Sequence, residues 1–293
     1  MSAPVGTEDG LEDSAIRKSF DAASRTYDRA AVLQTEVRAR LLERMQIVKL
    51  EPEVILDLGA GTGHASRALK SMFPKAHVIA LDVAFGMLEE ARHQQGLLRR
   101  FSRVVADGRK LPLRSQSVGL VFSNLMVQWC DPPDPVFAEV QRVLKPHGLF
   151  TFTTFGPDTL KELRAAWRAV DDHTHVNRFT DMHDVGDALM RAHFAEPVLD
   201  VEPFTLTYAD AYGLMRELKA IGAHNVSRGR RPGLTGRGAI QLMASAYESF
   251  RRDGKLPATY EVVYGHAWGP VQRLSATRGE TAIPLSAIGR KPR

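Results

Sequence analysis

Cysteine is almost missing from this chain: among 293 residues, Cys130 is the only one. An internal disulfide and a cysteine metal cluster are therefore excluded, and the usage suits a reducing compartment. Long hydrophobic runs are missing as well. Nowhere do 18 apolar residues follow one another, and residues 1–10 have neither a basic start nor an apolar stretch. A membrane span and a secretory leader are not expected, and a cytoplasmic location is. Charge of one sign is scarcely in excess, with 39 Lys and Arg against 34 Asp and Glu, a balance of +5. The 44% hydrophobic and 25% charged residues, with 23 Gly and 16 Pro dispersed among them, exclude a disordered, collagen-like or coiled-coil chain. The length accommodates two small domains or one large α/β domain with an insertion.

The charge that is present is unevenly placed. Residues 216–237 hold Arg216, Lys219, Arg228, Arg230, Arg231 and Arg237 against Glu217 alone, a local excess equal to that of the whole chain. Such a segment is either a solvated loop or a docking surface for an acidic partner. Within residues 14–45, Leu33, Val37, Leu41 and Met45 recur four apart, which predicts a covering helix. From Glu53 the pattern changes to short apolar strands at 54–58, 77–81, 104–106, 118–123 and 149–155, with helices between them. Alternation of strands and helices predicts a parallel, doubly wound α/β sheet. Pro146-His147-Gly148 is expected to stop a helix ahead of the fifth strand. Beyond it, helices are expected at 158–170 and 184–193, and alternating stretches at 198–208 and 259–268 predict an antiparallel pair. Helical stretches at 210–221 and 238–251 lie between the two. The expected division is a helical cover (1–49), a core (50–209), a helical cap (210–252), the last core strand (253–270) and a loose tail (271–293).

Residues 55–63 read Ile-Leu-Asp-Leu-Gly-Ala-Gly-Thr-Gly. Three glycines at a strand exit let a ligand approach the backbone and the amides opening the next helix. Gly59, Gly61 and Gly63 give G-x-G-x-G, whereas the dinucleotide fingerprint needs glycine at 64, where His64 stands, and no P-loop Lys follows. Asp82 ends the second strand, where a carboxylate accepts both hydroxyls of a ribose or, alternatively, caps the helix that follows. Asp107, before Gly108, is placed after the third strand to accept an adenine amino group or to close a turn. His173, His175 and His183, near Asp171, Asp172 and Asp184, match no usual zinc spacing, so no metal is expected.

Together these features resemble the class I S-adenosylmethionine-dependent methyltransferases over residues 50–155. The resemblance implies a Rossmann-like, mostly parallel seven-stranded methyltransferase sheet, with a helical cover and a cap inserted before the last strand. It implies S-adenosylmethionine as co-substrate, bound by Asp57, Gly59, Gly61, Gly63, Asp82, Val83, Met87, Asp107 and Gly108. A narrower resemblance spans nearly the whole chain. Residues 19–28 (Ser-Phe-Asp-Ala-Ala-Ser-Arg-Thr-Tyr-Asp), 123–129 (Ser-Asn-Leu-Met-Val-Gln-Trp), 152–155, 175–179 and 218–223 are similar to the malonyl-acyl-carrier-protein O-methyltransferases of biotin synthesis. That family implies Tyr27 near the cofactor's methionine carboxylate and Asn124 near its amino group.

On this reading the acceptor is the free carboxylate of a malonyl thioester, ionised at neutral pH because its unperturbed pKa is near ~4. No general base is then required, and a cation selects the acceptor. Arg178 and Lys219, with Arg216 behind them, are the expected cations unless they are plain surface charges. The partner is an acidic acyl carrier protein docking on the basic segment 216–237. Rival readings are a methyltransferase for another small carboxylate or quinone-type substrate, and a protein-arginine hydroxylase similar to a mitochondrial complex I assembly factor. Cations around the acceptor pocket argue against the latter. Base-reading motifs are missing, so no nucleic-acid substrate is expected: Asp131-Pro-Pro-Asp134 lacks the closing aromatic of the amino-methylating enzymes, and Cys130 lacks a preceding Pro.

Overall fold

The structure is a computed structural model that describes residues 11–96, 100–227, 233 and 235–270. Two helices come first, α1 (Asp13–Ala30) and α2 (Val32–Met45). There follow β1 (Val54–Leu58), α3 (His64–Met72), β2 (His77–Asp82), α4 (Phe85–His93), β3 (Ser102–Val105), β4 (Val118–Ser123), α5 (Asp134–Val143) and β5 (Leu144–Phe155). The chain continues through α6 (Lys161–Arg168), α7 (Met182–Arg191), β6 (Ala195–Tyr208), α8 (Ala211–Ala220), α9 (Arg237–Tyr247) and β7 (Leu256–Trp268).

The strands join in one seven-stranded sheet of order β3-β2-β1-β4-β5-β7-β6. The first five are parallel, and β7 runs antiparallel to both β5 and β6. Strands covered on both faces by helices are apolar at nearly every position, which is why β1, β2 and β4 were readable as continuous runs. Alternation divides their side chains between two cores. Ile55, Val78, Ala80, Leu120 and Phe122 face the core shared with α2 and α3, and Leu56, Leu58, Ile79, Leu81 and Val121 face the one closed by α5 and α7. From β1 the chain turns first toward β2 and later, through β4, to the other side. Such a reversal leaves a crevice beyond the carboxyl ends of β1 and β4.

The structure corrects the sequence reading in two places. The helical stretch at 14–45 is broken at Ala31, whose φ of −82° and ψ of 49° are not helical although neither Pro nor Gly is present. The two halves serve different surfaces: α1 packs on α4 and α8, while α2 lays Leu33, Val37, Leu41 and Met45 against the sheet. Residues 146–148 do not precede the fifth strand, since β5 already begins at Leu144. Its register against β4 jumps from the pair Val118–Leu144 to the pair Leu120–Leu149, so Pro146, His147 and Gly148 bulge out of the ladder, where a missing amide proton costs nothing.

Helix α1 is bound to sequence-distant neighbours. Ser19 Oγ donates to Gly222 O at 3.0 Å, just after α8, and Thr26 Oγ1 to Ala220 O at 2.8 Å, at its last residue. Glu12 N donates to Val226 O at 3.0 Å, and Asp21 Oδ1 accepts from Gly86 N of α4 at 2.8 Å. The helix thereby roofs the crevice. Among the described residues no helix is long and apolar enough to cross a membrane.

Candidate active site

The turn from β1 into α3 uses three left-handed glycines, each for a different reason. Gly59 has φ +76°, and a Cβ there would lie 2.4 Å from Met126 Cγ; Gly63, at φ +78°, would press 2.9 Å from Ala91 Cβ. Both positions are required by packing. Gly61, at φ +53°, has nothing within 4 Å of such a Cβ, because it borders a cavity of about 560 Å³. A side chain at Gly61 would occupy that space, so this position, rather than Gly63, gives the cavity its backbone floor.

Asp82 braces the turn from the end of β2. Its Oδ2 accepts from Gly61 N and its Oδ1 from Ala84 N, each at 2.9 Å. Burial raises its pKa above the ordinary carboxylate value, against the pull of these amides. Val83 and Met87 line the cavity beside it, as do Gly108 and Asp107 from the loop after β3. Asp107 is held by Arg109: Nη2 lies 2.7 Å from Oδ2, and the Arg109 amide donates to Oδ1 at 2.8 Å. This pairing, chiefly the side-chain hydrogen bond from Arg109, keeps the Asp107 carboxyl below its usual range.

The opposite wall comes from α1 and the end of β4. Tyr27 contributes from α1; burial first, then the charge of Asp82, raises the pKa of its hydroxyl and keeps it protonated. Asn124 donates through Nδ2 to Gln34 O at 3.2 Å and accepts through Oδ1 from Thr153 Oγ1 at 3.1 Å. Leu125 follows in the left-handed region at φ +51°, its amide donating to Thr153 Oγ1 at 2.9 Å. Such a conformation costs a side-chain-bearing residue about 1–2 kcal/mol. Asp57 lies deeper, 1% exposed, accepting from Ser66 Oγ at 2.5 Å. Burial pushes its pKa up to about 7.

A second cavity of about 510 Å³ adjoins the first, and Phe20, Tyr27, Leu125 and Trp129 belong to both. Its remaining wall is mostly apolar, including Phe155, Leu163, Phe179 and Leu218. Trp167 stacks there on His175, ring centroids 3.8 Å apart. Of the three cations expected at an acceptor, only Lys219 of α8 borders this cavity. Arg178 is exposed beyond the buried pair Val176-Asn177 and close enough to repel Arg164. Arg216 is exposed one helical turn before Lys219. Neither lines the wall, because the inward positions next to them are taken by uncharged side chains. Arg228, Arg230 and Arg231 of the basic segment lie outside the described residues, and Arg237 is exposed at the start of α9. The histidines form no cluster: His175 Nε2 meets Asp171 Oδ1 and His183 Nδ1 meets Asp181 Oδ1, each at 2.7 Å.

Sequence reasoning missed Arg109, which lines the first cavity, Gln128, which lines the second, and Arg38, which borders a small recess of about 40 Å³ beside Gly61 and Asn124. Only Arg38 carried a signal, since it follows Gln34 by one turn beside the buried stripe of α2.

A family model described as a methyltransferase domain matches residues 56–152. A malonyl-acyl-carrier-protein O-methyltransferase from Methylovorus sp. (strain MP688) is 55% identical over 97% of this chain and 96% of its own length. The chain belongs to the malonyl-acyl-carrier-protein O-methyltransferase family. A second member, from Gallionella capsiferriformans (strain ES-2), is 50% identical over 90% of this chain and 93% of its own. The fold extends further. Haemonchus contortus phosphoethanolamine N-methyltransferase 2, solved in complex with S-adenosyl-L-methionine, aligns with a TM-score of 0.53 at 18% identity, over 92% of this chain and 62% of that one.

Proposed function

We propose that this chain uses S-adenosylmethionine to methylate the free carboxylate of a malonyl thioester carried on acyl carrier protein; its relatives are named as O-methyltransferases of malonyl-acyl-carrier protein. The observation that carries the reading is the meeting of two cavities at Phe20, Tyr27, Leu125 and Trp129: one is framed by the glycine turn and two strand-end acids, the other is apolar with Lys219 at its wall. The first fits the cofactor, because the space over Gly61 and the two acids suits an adenosine. When bound, S-adenosylmethionine supplies an electrophilic methyl group.

The residues at the junction do what an already ionised acceptor requires. Tyr27 keeps its proton, and burial pushes the thiol of Cys130, which lines the first cavity next to Trp129, up to about 12, so neither of these two groups competes as an anion for the methyl group. The aromatic and aliphatic wall excludes water, and Lys219 draws in the carboxylate without a proton transfer. On this reading the described residues of 50–209 and 253–270 form the catalytic core, 11–49 the roof and those of 210–252 the acceptor-side cap; residues 1–10 of the expected cover and the expected tail at 271–293 lie outside the described residues. An acidic carrier protein is steered by the basic segment 216–237, of which Arg216, Lys219 and Arg237 are exposed among the described residues. The reaction takes place in the cytoplasm.

The test is transfer of labelled methyl from S-adenosylmethionine to malonyl-carrier protein, with alkali-labile ester as the product. Label confined to an unrelated small carboxylate or quinone would replace this acceptor with the rival one.

A further inference from the structure

Trp167, Asp171 and His175 stand four residues apart and act together on the wall of the second cavity. As the chain leaves α6, the Asp171 amide donates to Trp167 O at 3.2 Å. Asp171 Oδ1 then accepts from the His173 amide at 3.0 Å and meets His175 Nε2 at 2.7 Å. The His175 ring lies flat on the Trp167 indole, its plane 5° from parallel. The loop that carries it is pinned from the cap side, where Asn225 Nδ2 donates to Thr174 O and Asn177 Oδ1 accepts from Val226 N at 3.2 Å. Stacking on one face and a carboxylate at one nitrogen hold the ring, 11% exposed, in one orientation.

That orientation fixes the chemistry of the ring. Although desolvation opposes them, the hydrogen bonds from His175 and the His173 amide keep the Asp171 carboxyl below its ordinary value, so Asp171 is ionised and only accepts. Such a partner places the imidazole proton on Nε2 and leaves a lone pair on Nδ1. Nδ1 makes no hydrogen bond with any described residue. His224, the other histidine on this wall, is engaged by Ser19 Oγ at 2.9 Å. A lone pair repels a carboxylate, so His175 does not read the malonyl end, which Lys219 draws in; it suits a neutral donor. The cavity, about 510 Å³, is larger than a malonyl group fills, so the first part of the thioester's arm enters with it. The arm of an acyl carrier has a secondary amide close behind the sulfur, and its N–H is the first donor after the acyl group.

We infer that His175 accepts a hydrogen bond through Nδ1 from the arm's amide nearest the thioester sulfur, and so sets how far the malonyl group reaches toward the junction of the two cavities. The inference rests on the reading of the second cavity as the site of a carrier-bound malonyl thioester. His175 holds the substrate, Asp171 fixes its tautomer and Trp167 its plane. No proton passes between His175 and the acceptor, in keeping with a carboxylate that needs no base. Two fixed polar groups in a mostly apolar wall then orient the acceptor from both ends, Lys219 at the anion and His175 at the N–H.

The experiment alters the donor on the substrate and the acceptor on the protein. Malonyl-carrier protein is prepared with its natural arm and with an arm in which an ester oxygen replaces the N–H nearest the sulfur. The wild-type protein is expected to show a KM about 10–100-fold higher for the ester arm, with kcat within about threefold. His175→Phe keeps the stack on Trp167, and His175→Gln keeps a donor for Asp171. Each is expected to bring the two KM values within about threefold of each other by raising that of the natural arm, while calorimetry shows unchanged affinity for S-adenosylhomocysteine. Equal KM values for the two arms in wild type overturn the assignment. So does a preference for the natural arm that survives in either variant, because a purely structural role would raise both KM values together. If the wild type methylates neither form while still binding S-adenosylhomocysteine, the malonyl acceptor itself falls, and the two failures are thus distinct.

Discussion

Arg109 and Asp13 meet across the rim of the first cavity, Nη2 to Oδ2 at 2.8 Å, and so fasten the loop after β3 to the first turn of α1. The same guanidinium holds Asp107, so one residue joins the expected adenine subsite to the helix that roofs it. Both partners are partly exposed, and pairs of this kind contribute about 0.2–1 kcal/mol. Arg109→Ala is expected to weaken S-adenosylmethionine binding by about two- to fivefold and to speed its release, with the loss growing less distinct at high salt. Stopped-flow dissociation at two ionic strengths checks this; unchanged release would mean that the roof is held by other contacts.

The glycine turn supports a prediction that separates binding from folding. Gly61→Ala places a methyl group in open cavity space and strains a left-handed residue by about 1–2 kcal/mol. Gly59→Ala adds a collision with Met126. The Gly61 variant should remain folded while losing at least tenfold in cofactor affinity; the Gly59 variant should lose more thermal stability, some of it recovered by adding Met126→Ala. Equal melting temperatures for the two single variants would contradict the different roles assigned to these glycines.

Asp57 makes stability depend on pH. Its carboxyl is raised in the fold to about 7, against an unperturbed value near ~3.9 in the unfolded chain. The folded protein therefore holds this proton more tightly. The contribution to stability is complete below about pH 4, declines as pH rises toward 7, and is level above it, a change of up to about 4 kcal/mol. Unfolding followed in denaturant from pH 4 to 8 should show the wild type losing ground to Asp57→Asn across that window. A constant difference between the two would remove Asp57 as the source.

Lys219 should act on the acceptor and not on the cofactor. Lys219→Ala is expected to raise the KM for a malonyl thioester about tenfold while leaving S-adenosylmethionine affinity within twofold. Arg178→Ala and Arg216→Ala, exposed and off the cavity wall, should change KM for a short neutral malonyl thioester by less than threefold. A larger effect from Arg178 than from Lys219 would reverse the assignment made from the cavity wall.

Much of the core was legible because parallel strands buried on both faces leave continuous apolar runs, and because the glycine turn, Asp82 and Asp107 stand at three successive strand ends in a fixed order. The break at Ala31 was not legible, since nothing local causes it: two packing surfaces pull the halves of one amphipathic stretch in different directions. The early start of β5 was hidden for a related reason, as Pro146 and Gly148 signal a stop locally but are absorbed by a bulge. Charged residues were the least readable. Arg38, Lys219, Arg178 and Arg216 look alike in a sequence, and only the rotation of each backbone segment decides which points into a cavity and which into water.

Helix α1 carries two of the four residues common to both cavities, Phe20 and Tyr27, and is tied to the segment after α8 and to α4. A single lift of this roof uncovers both compartments together. Spent cofactor and esterified thioester would then leave through one shared opening, with a common kinetic bottleneck. Turnover would show a marked dependence on solvent viscosity, and inhibition by one product would be deepened by the other.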